Sequence, residues 1–184
     1  GGMNTCVPLA VCRHCCRELG IAPTPLIFAA KVATQTATLF EQIQGEARYQ
    51  IKKEYRISTS KFGIGQIRGS NQTPLGLHRI AEKIGAGCEP GTVFKARKVI
   101  GHLRDGLPLE SITTRILWLE GLEEGFNRGG HVDTHSRYIY IHGFGDQDSL
   151  GTPTSLGCIH LADVDLIPLY DLLPSGTLVW IAAA

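Results

Sequence analysis

One cysteine in this chain has neighbours suited to nucleophilic catalysis. Cys158 stands in Ser155-Leu156-Gly157-Cys158-Ile159-His160-Leu161, and the pair His142-Gly143 lies one loop upstream. A free thiol ionises near pH ~8.5, so a thiolate at neutral pH calls for an imidazolium beside it. A cysteine served by a histidine base attacks acyl carbons and holds the acyl group as a thioester. Gly157 lets the backbone turn sharply before the nucleophile and lets a substrate carbonyl come close. The N–H groups of such a turn are expected to converge on an oxyanion. Spacing alone is weak evidence, because most single cysteines are packed apolar residues.

Two other clusters have ligand-like spacing. Cys6, Cys12, Cys15 and Cys16 crowd the N-terminal arm around His14. Cys12 and Cys15 beside that histidine match local zinc spacing, but a structural zinc site usually has a second ligand pair downstream, where Cys88 stands alone. A mobile or disulfide-paired arm is the simpler expectation. His131, Asp133 and His135 alternate, which would put them on one face of a strand, yet they follow Gly129-Gly130 as a solvated strand entry. His78 is a candidate for the cleft lining.

The elements that must position Cys158 and His142 are mostly strands. Residues 137–142 (Arg-Tyr-Ile-Tyr-Ile-His) carry the strongest strand signal, and residues 111–119 read as a buried strand ending in Trp118-Leu119. Strands are also expected from Tyr49 through Ile57, over 76–80 and over 177–181, with alternation along 92–100. Residues 162–173 read as a helix with Asp163 and Asp165 in its first turn. A second helix is expected over 25–44. Thr24 would cap it, Pro25 suits its first turn, and Leu26, Ala29, Ala30, Ala33, Ala37, Phe40 and Ile43 recur at helical spacing before Gly45.

Composition agrees with a strand-rich enzyme. Of 184 residues 43% are hydrophobic, 19% charged and 22 are glycine, enough apolar surface for a core and many tight turns. Lys+Arg 18 against Asp+Glu 17 leaves a net +1, which removes any strong electrostatic case for nucleic acid or an acidic membrane. No apolar run is long enough for a transmembrane segment. The expected fold class is mainly β with one or two helices (α+β): an N-terminal Cys-rich arm and helix over 1–45, then one catalytic domain over 46–184.

The region around Cys158 closely resembles the YkuD-type L,D-transpeptidase catalytic domain. That family's signature is a His-Gly pair, a loop, then Ser/Thr-His-Gly-Cys followed by an apolar residue and Arg or Asn. His142-Gly143, Ser155, Gly157, Cys158 and Ile159 match it. Thr73-Pro74-Leu75-Gly76 resembles the family's strand entry, and Asn127-Arg128-Gly129-Gly130 with Val132-Asp133 resembles a bacterial subgroup. Ala162-Asp163-Val164 and Gly176-Thr177-Leu178-Val179 also fit, so the resemblance spans about residues 46–182.

The resemblance implies a peptidoglycan L,D-transpeptidase with a mainly β, sandwich- or barrel-like catalytic domain. Cys158 would attack the L-centre carbonyl of meso-diaminopimelate in a tetrapeptide stem and release D-alanine. His142 would be the base, its tautomer held by the Gly143 carbonyl, and Ser155, Leu156, Gly157 and His160 would contact substrate or oxyanion. No metal or organic cofactor is required. The acceptor would be a stem amine, a D-amino acid, a protein amine or water. Hydrolysis as an L,D-carboxypeptidase or amidase is the alternative outcome, and a degenerate peptidoglycan-binding module is the third. A monomer in the periplasm or cell envelope is expected from the substrate, with no readable signal peptide. Two departures stand out: Leu156 replaces the motif histidine, and His160 replaces its arginine.

Overall fold

The computed structural model describes residues 2–184, with side chains from Pro8 onward. The chain is mainly β with two α-helices, in the order α1 (Gly2–Leu19), β1 (Leu26–Lys31), β2 (Thr36–Gln42), β3 (Tyr49–Arg56), β4 (Gly76–Ile84), β5 (Thr92–Lys95), β6 (Lys98–His102), β7 (Ile112–Gly121), β8 (Tyr140–Phe144), β9 (Ile159–Leu161), α2 (Asp163–Leu172) and β10 (Leu178–Ala182). The strands join one sheet in the order β3-β2-β1-β10-β4-β7-β5-β6, with β8 on β7 and β9 on β8. Among the described residues, no helix is long and apolar enough to cross a membrane.

The helix expected over 25–44 is absent; two antiparallel strands, β1 and β2, stand there. The reason is burial. Ile27, Phe28, Ala29 and Ala30 are all buried, Phe28 and Ala30 on one side of the sheet and Ile27 and Ala29 on the other. A strand covered on both faces has no wet side, so its residues show no alternation and its alanines mimic helical spacing. β1 also runs parallel to β10, so the segment expected as an arm supplies two strands of the sheet.

The cysteine cluster lies on α1 and packs against the sheet. Leu9, Cys12 and Cys16 share one helix face and meet Ile27, Ala29, Phe40, Leu77, Leu178 and Trp180. Cys12, Cys15 and Cys16 are free thiols, which corrects the expected disulfide-paired arm; the Cys6 side chain lies outside the described residues. Gly20, with φ 68, closes the helix: the Ile21 N–H donates to the Cys16 carbonyl at 2.9 Å and the Gly20 N–H to that of Arg17 at 3.2 Å. That pair of bonds is the Schellman arrangement, which needs the left-handed conformation glycine adopts freely.

Two further expectations shift. Residues 92–100 form a hairpin rather than one strand, with Ala96 (φ 48) and Arg97 (φ 63) at its tip. The strand expected over 137–142 begins only at Tyr140, because residues 135–137 make a 3-10 turn and Tyr138 takes φ 57. Between Cys158 and the helix expected over 162–173, which stands as α2, lies the short strand β9. β8 lies antiparallel to β7 and parallel to β9, and the parallel pairing needs the long loop that separates Phe144 from Cys158.

Ile141 and Ile159 are fully buried partners across β8 and β9 and anchor that pair in the main core with Leu117, Leu166 and Leu169. Ile159→Ala should therefore cost about 2–5 kcal/mol of unfolding free energy, read from urea denaturation. A loss below ~0.5 kcal/mol would mean that β9 is not anchored there.

Candidate active site

Alternation along β8 divides its side chains between two environments. Ile139 and Ile141 enter the main core, while Tyr140, His142 and Phe144 point to the opposite face. β9 follows the same rule: Ile159 and Leu161 are in the core, and His160 is on the outer face directly across from His142. Cys158, one residue before β9, falls on that outer face diagonally from His142. The register therefore brings Cys158, His142 and His160 to one cleft of about 350 Å³, whose wall also includes Ser155, Leu156 and Phe144.

His142 is buried, and its Nδ1 lies 2.5 Å from the Gly143 carbonyl oxygen. A carbonyl only accepts, so Nδ1 carries the proton and Nε2 keeps its lone pair. Burial pushes His142 down to about 4, against the opposing pull of that carbonyl. His160 stacks on Phe144 at 4.1 Å, and its ring centroid is 4.7 Å from that of His142. Burial and then the neighbouring His142 hold it well below the usual imidazole range, and its Nδ1 is buried without a hydrogen-bond partner among the described residues. Both imidazoles are neutral at pH 7.

The Cys158 sulfur is gripped by backbone. It accepts from the Tyr140 N–H at 3.3 Å and donates to the Tyr138 carbonyl at 3.5 Å. Burial pushes the thiol up to about 11, opposed by the Tyr140 amide and the Arg137 guanidinium. Sequence reasoning asked for an imidazolium next to a thiolate; the site rests instead as a neutral thiol near a neutral base.

The turn before Cys158 is bolted internally. Ser155 Oγ donates to the Cys158 carbonyl at 2.6 Å and accepts from the Gly157 N–H at 3.1 Å. The Ser155 N–H donates to the Thr59 carbonyl at 2.9 Å, and Thr73 Oγ1 donates to the Gly157 carbonyl at 3.0 Å. Two of the N–H groups expected to face an oxyanion are thus occupied inside the protein. Gly157 is required by its φ of 122, where a Cβ would also come within 3.1 Å of Ile139 Cδ1. At Gly143, a Cβ would sit 2.6 Å from the Thr113 carbonyl oxygen of β7.

Leu156, 60% exposed, forms the rim. Lys61 and Glu110 also line the cleft; neither belongs to the Cys–His motif, and no local sequence signal marks them. The other histidine candidates fall away. His78 is buried in β4, paired with the Gly76 carbonyl (3.0 Å) and Thr134 Oγ1 (2.9 Å) and absent from the cleft wall. His131, Asp133 and His135 share no strand face: they lie in and between two 3-10 turns, where Asp133 accepts from the Gly129 and Ser136 N–H groups and His135 stacks on Trp118 at 4.0 Å.

Comparison with known proteins gives one family and its fold. The YkuD family model, described as the L,D-transpeptidase catalytic domain, matches residues 28–181. Among solved structures, one from Bdellovibrio bacteriovorus is similar with TM-score 0.58 at 14% identity, covering 87% of this chain and 48% of that one. An L,D-transpeptidase from Mycobacterium smegmatis has TM-score 0.50 at 18% identity, covering 86% and 59%. An LD transpeptidase in complex with imipenem has TM-score 0.51 at 20% identity, with the same 86% and 59%. The chain thus spans about half to three-fifths of these structures, and their likeness speaks to the fold. No curated protein matches the chain.

Two pH responses follow from the buried groups. Alkylation of Cys158 by iodoacetamide, followed by peptide mass spectrometry, should rise towards a midpoint near 11 with no shoulder near 6.5, because the thiol gives up its proton only there. His78 and His142 are depressed to about 4, and His160 is depressed as well, from an unfolded value near ~6.5. The unfolded chain then binds more protons below ~6.5, so their stabilising contribution is complete above that pH and is lost as pH falls towards 4. Urea midpoints should be lower at pH 4.5 than at pH 7.

Proposed function

The chain belongs to the YkuD family of L,D-transpeptidase catalytic domains, and on that premise we propose that it is a cysteine acyltransferase acting on peptidoglycan stems in the cell envelope. The observation that carries the reading is the shared outer face of two parallel strands: it opens the Cys158 thiol and a tautomer-fixed His142 into one cleft.

The chemistry follows from the resting charges. With thiol and imidazole both neutral, the thiol proton moves to His142 Nε2 as the sulfur closes on the L-centre carbonyl of diaminopimelate. The C–N bond to D-alanine then breaks, its amine takes the proton back from His142, and a thioester remains on Cys158. An acceptor amine attacks the thioester, giving its proton to His142 and on to the departing sulfur. Water in the same position gives hydrolysis. A neutral base suits this cycle, because it both accepts and returns a proton without creating a lasting buried charge. The Gly143 carbonyl supports it by holding the proton on Nδ1 throughout, and bears directly on the imidazolium that forms transiently.

The two departures from the family motif have defined consequences. Leu156 makes the rim apolar and contributes no hydrogen bond to the thiol. His160 is held towards its neutral form by burial, so it offers a stem carboxylate no charge at pH 7, and its Nδ1 is buried without a partner among the described residues.

The test is a disaccharide tetrapeptide stem incubated with the protein and analysed by mass. The wild type should release D-alanine and form either dimers linked between diaminopimelate residues or tripeptide. Cys158→Ala should abolish both products, and His142→Gln should slow them about 10²- to 10⁴-fold. Unchanged substrate with the wild type would leave only a binding role.

A further inference from the structure

The cleft that holds Cys158 is electrically unremarkable, since Lys61 shares its wall with Glu110. A second cavity of about 360 Å³ lies on the other side of Leu156, which lines both. Its wall includes Arg68, Asn71, Ser136, Arg137 and Tyr138, and no acidic residue. Tyr138, on this wall, also carries the carbonyl that accepts from the Cys158 thiol, so the residue that lines the cavity touches the nucleophile.

Neither arginine has a counter-ion among the described residues. Arg137 is half-buried and spends its guanidinium on neutral oxygens: the Gln72 carbonyl at 2.6 Å, those of Gly65 and Gln66 at 3.3 Å, and Ser70 Oγ at 3.4 Å. Arg68 donates to Ser136 Oγ at 2.7 Å. The nearby Asp133 has its carboxylate turned to the Gly129 and Ser136 N–H groups. The backbone is bent to make this wall: Asn71 has φ 58 and Tyr138 φ 57, and a bulky aromatic residue in the left-handed region carries a conformational cost. Two permanent cations without anions, one of them half-buried, favour an incoming carboxylate, which arginine holds by charge-assisted hydrogen bonds.

We propose that Arg68 and Arg137 form a carboxylate subsite that reads the free C-terminal carboxylate of the stem residue released by Cys158. This rests on the acyltransferase reading above and adds how the leaving side of the substrate is recognised. A carboxylate one residue beyond the scissile bond lies roughly 3–5 Å from the carbon the sulfur attacks, and the Arg137 guanidinium is close enough to Cys158 to act on its thiol. It also accounts for the two motif departures together. A neutral His160 gives up anion binding inside the cleft, and the apolar rim at Leu156 separates the reacting carbonyl from a charged pocket beside it.

The test compares three tetrapeptide stems: the free acid, the C-terminal carboxamide, and one amidated on the D-centre carboxylate of diaminopimelate. D-alanine or D-alaninamide release is followed with the wild type, Arg68→Gln and Arg68→Lys. Arg68 is chosen because Arg137 also ties down residues 65–72. The wild type should prefer the free acid to the carboxamide by about tenfold or more in kcat/KM, the size of a charge-assisted contact. Arg68→Gln should collapse that acid-to-amide ratio, chiefly through KM, and Arg68→Lys should restore part of it. Thermal unfolding and Cys158 alkylation report whether the fold and the nucleophile are intact. A wild type indifferent to the C-terminal charge, or an Arg68→Gln that slows acid and amide equally, overturns the proposal while the acyltransferase reading stands. An Arg68 dependence that vanishes only when the D-centre carboxylate is amidated overturns the assignment to the leaving residue. Release from none of the stems removes both readings.

Discussion

The site depends on one pairing: β9 lies parallel to β8 with His160 opposite His142. Side chains on a strand alternate between faces, so a slip of one residue would send Ile159 and Leu161 to the surface and the histidine into the core. The buried partners Ile141 and Ile159 are what forbid that slip. Hydrophobic packing on one face thus sets, to within a side chain, where the thiol and imidazole emerge on the other. The second edge of β9 is held as well, by paired bonds between Ser58 and His160. A short strand of three residues is kept in place by neighbours on both sides.

Electrostatically the cleft is quiet. His142, His160 and Cys158 are all pushed towards their neutral forms by burial. That arrangement avoids a standing ion pair in a poorly solvated place, which would be costly unless fully hydrogen-bonded. A resting thiol must lose its proton before it can attack, which is the role proposed above for His142. The bolted turn at 155–158 serves the same end, because its internal hydrogen bonds hold the cysteine backbone before any ligand arrives.

Legibility in the sequence varied with how far a residue's role depended on distant contacts. Tyr49 to Ile57 announces itself by alternation, β7 by its β-branched apolar run and α2 by the aspartates of its first turn, and the structure has them close to where they were expected. β1 was hidden by being buried on both sides, and the hairpin of β5 and β6 by a turn with no glycine, asparagine or proline at its tip. The cysteines of α1 looked like ligands or half-cystines because cysteine spacing carries those meanings; Cys12 and Cys16 are instead small apolar residues pressed on the sheet. Arg68, Lys61 and Glu110 gave no local sign of lining the site, since chains far apart in sequence bring them there.

The order of residues by itself was enough for the class of fold and the family, and it singled out Cys158 and His142 as the candidate pair, because a short motif with a strict local geometry leaves its trace in consecutive positions. Only the folded chain decided the charge state of that pair, the loss of two turn amides to internal bonds, and the placement beside Leu156 of two arginines that have no counter-ion among the described residues. Those depend on burial and on contacts between segments distant in the chain, and neither quantity is written in local spacing.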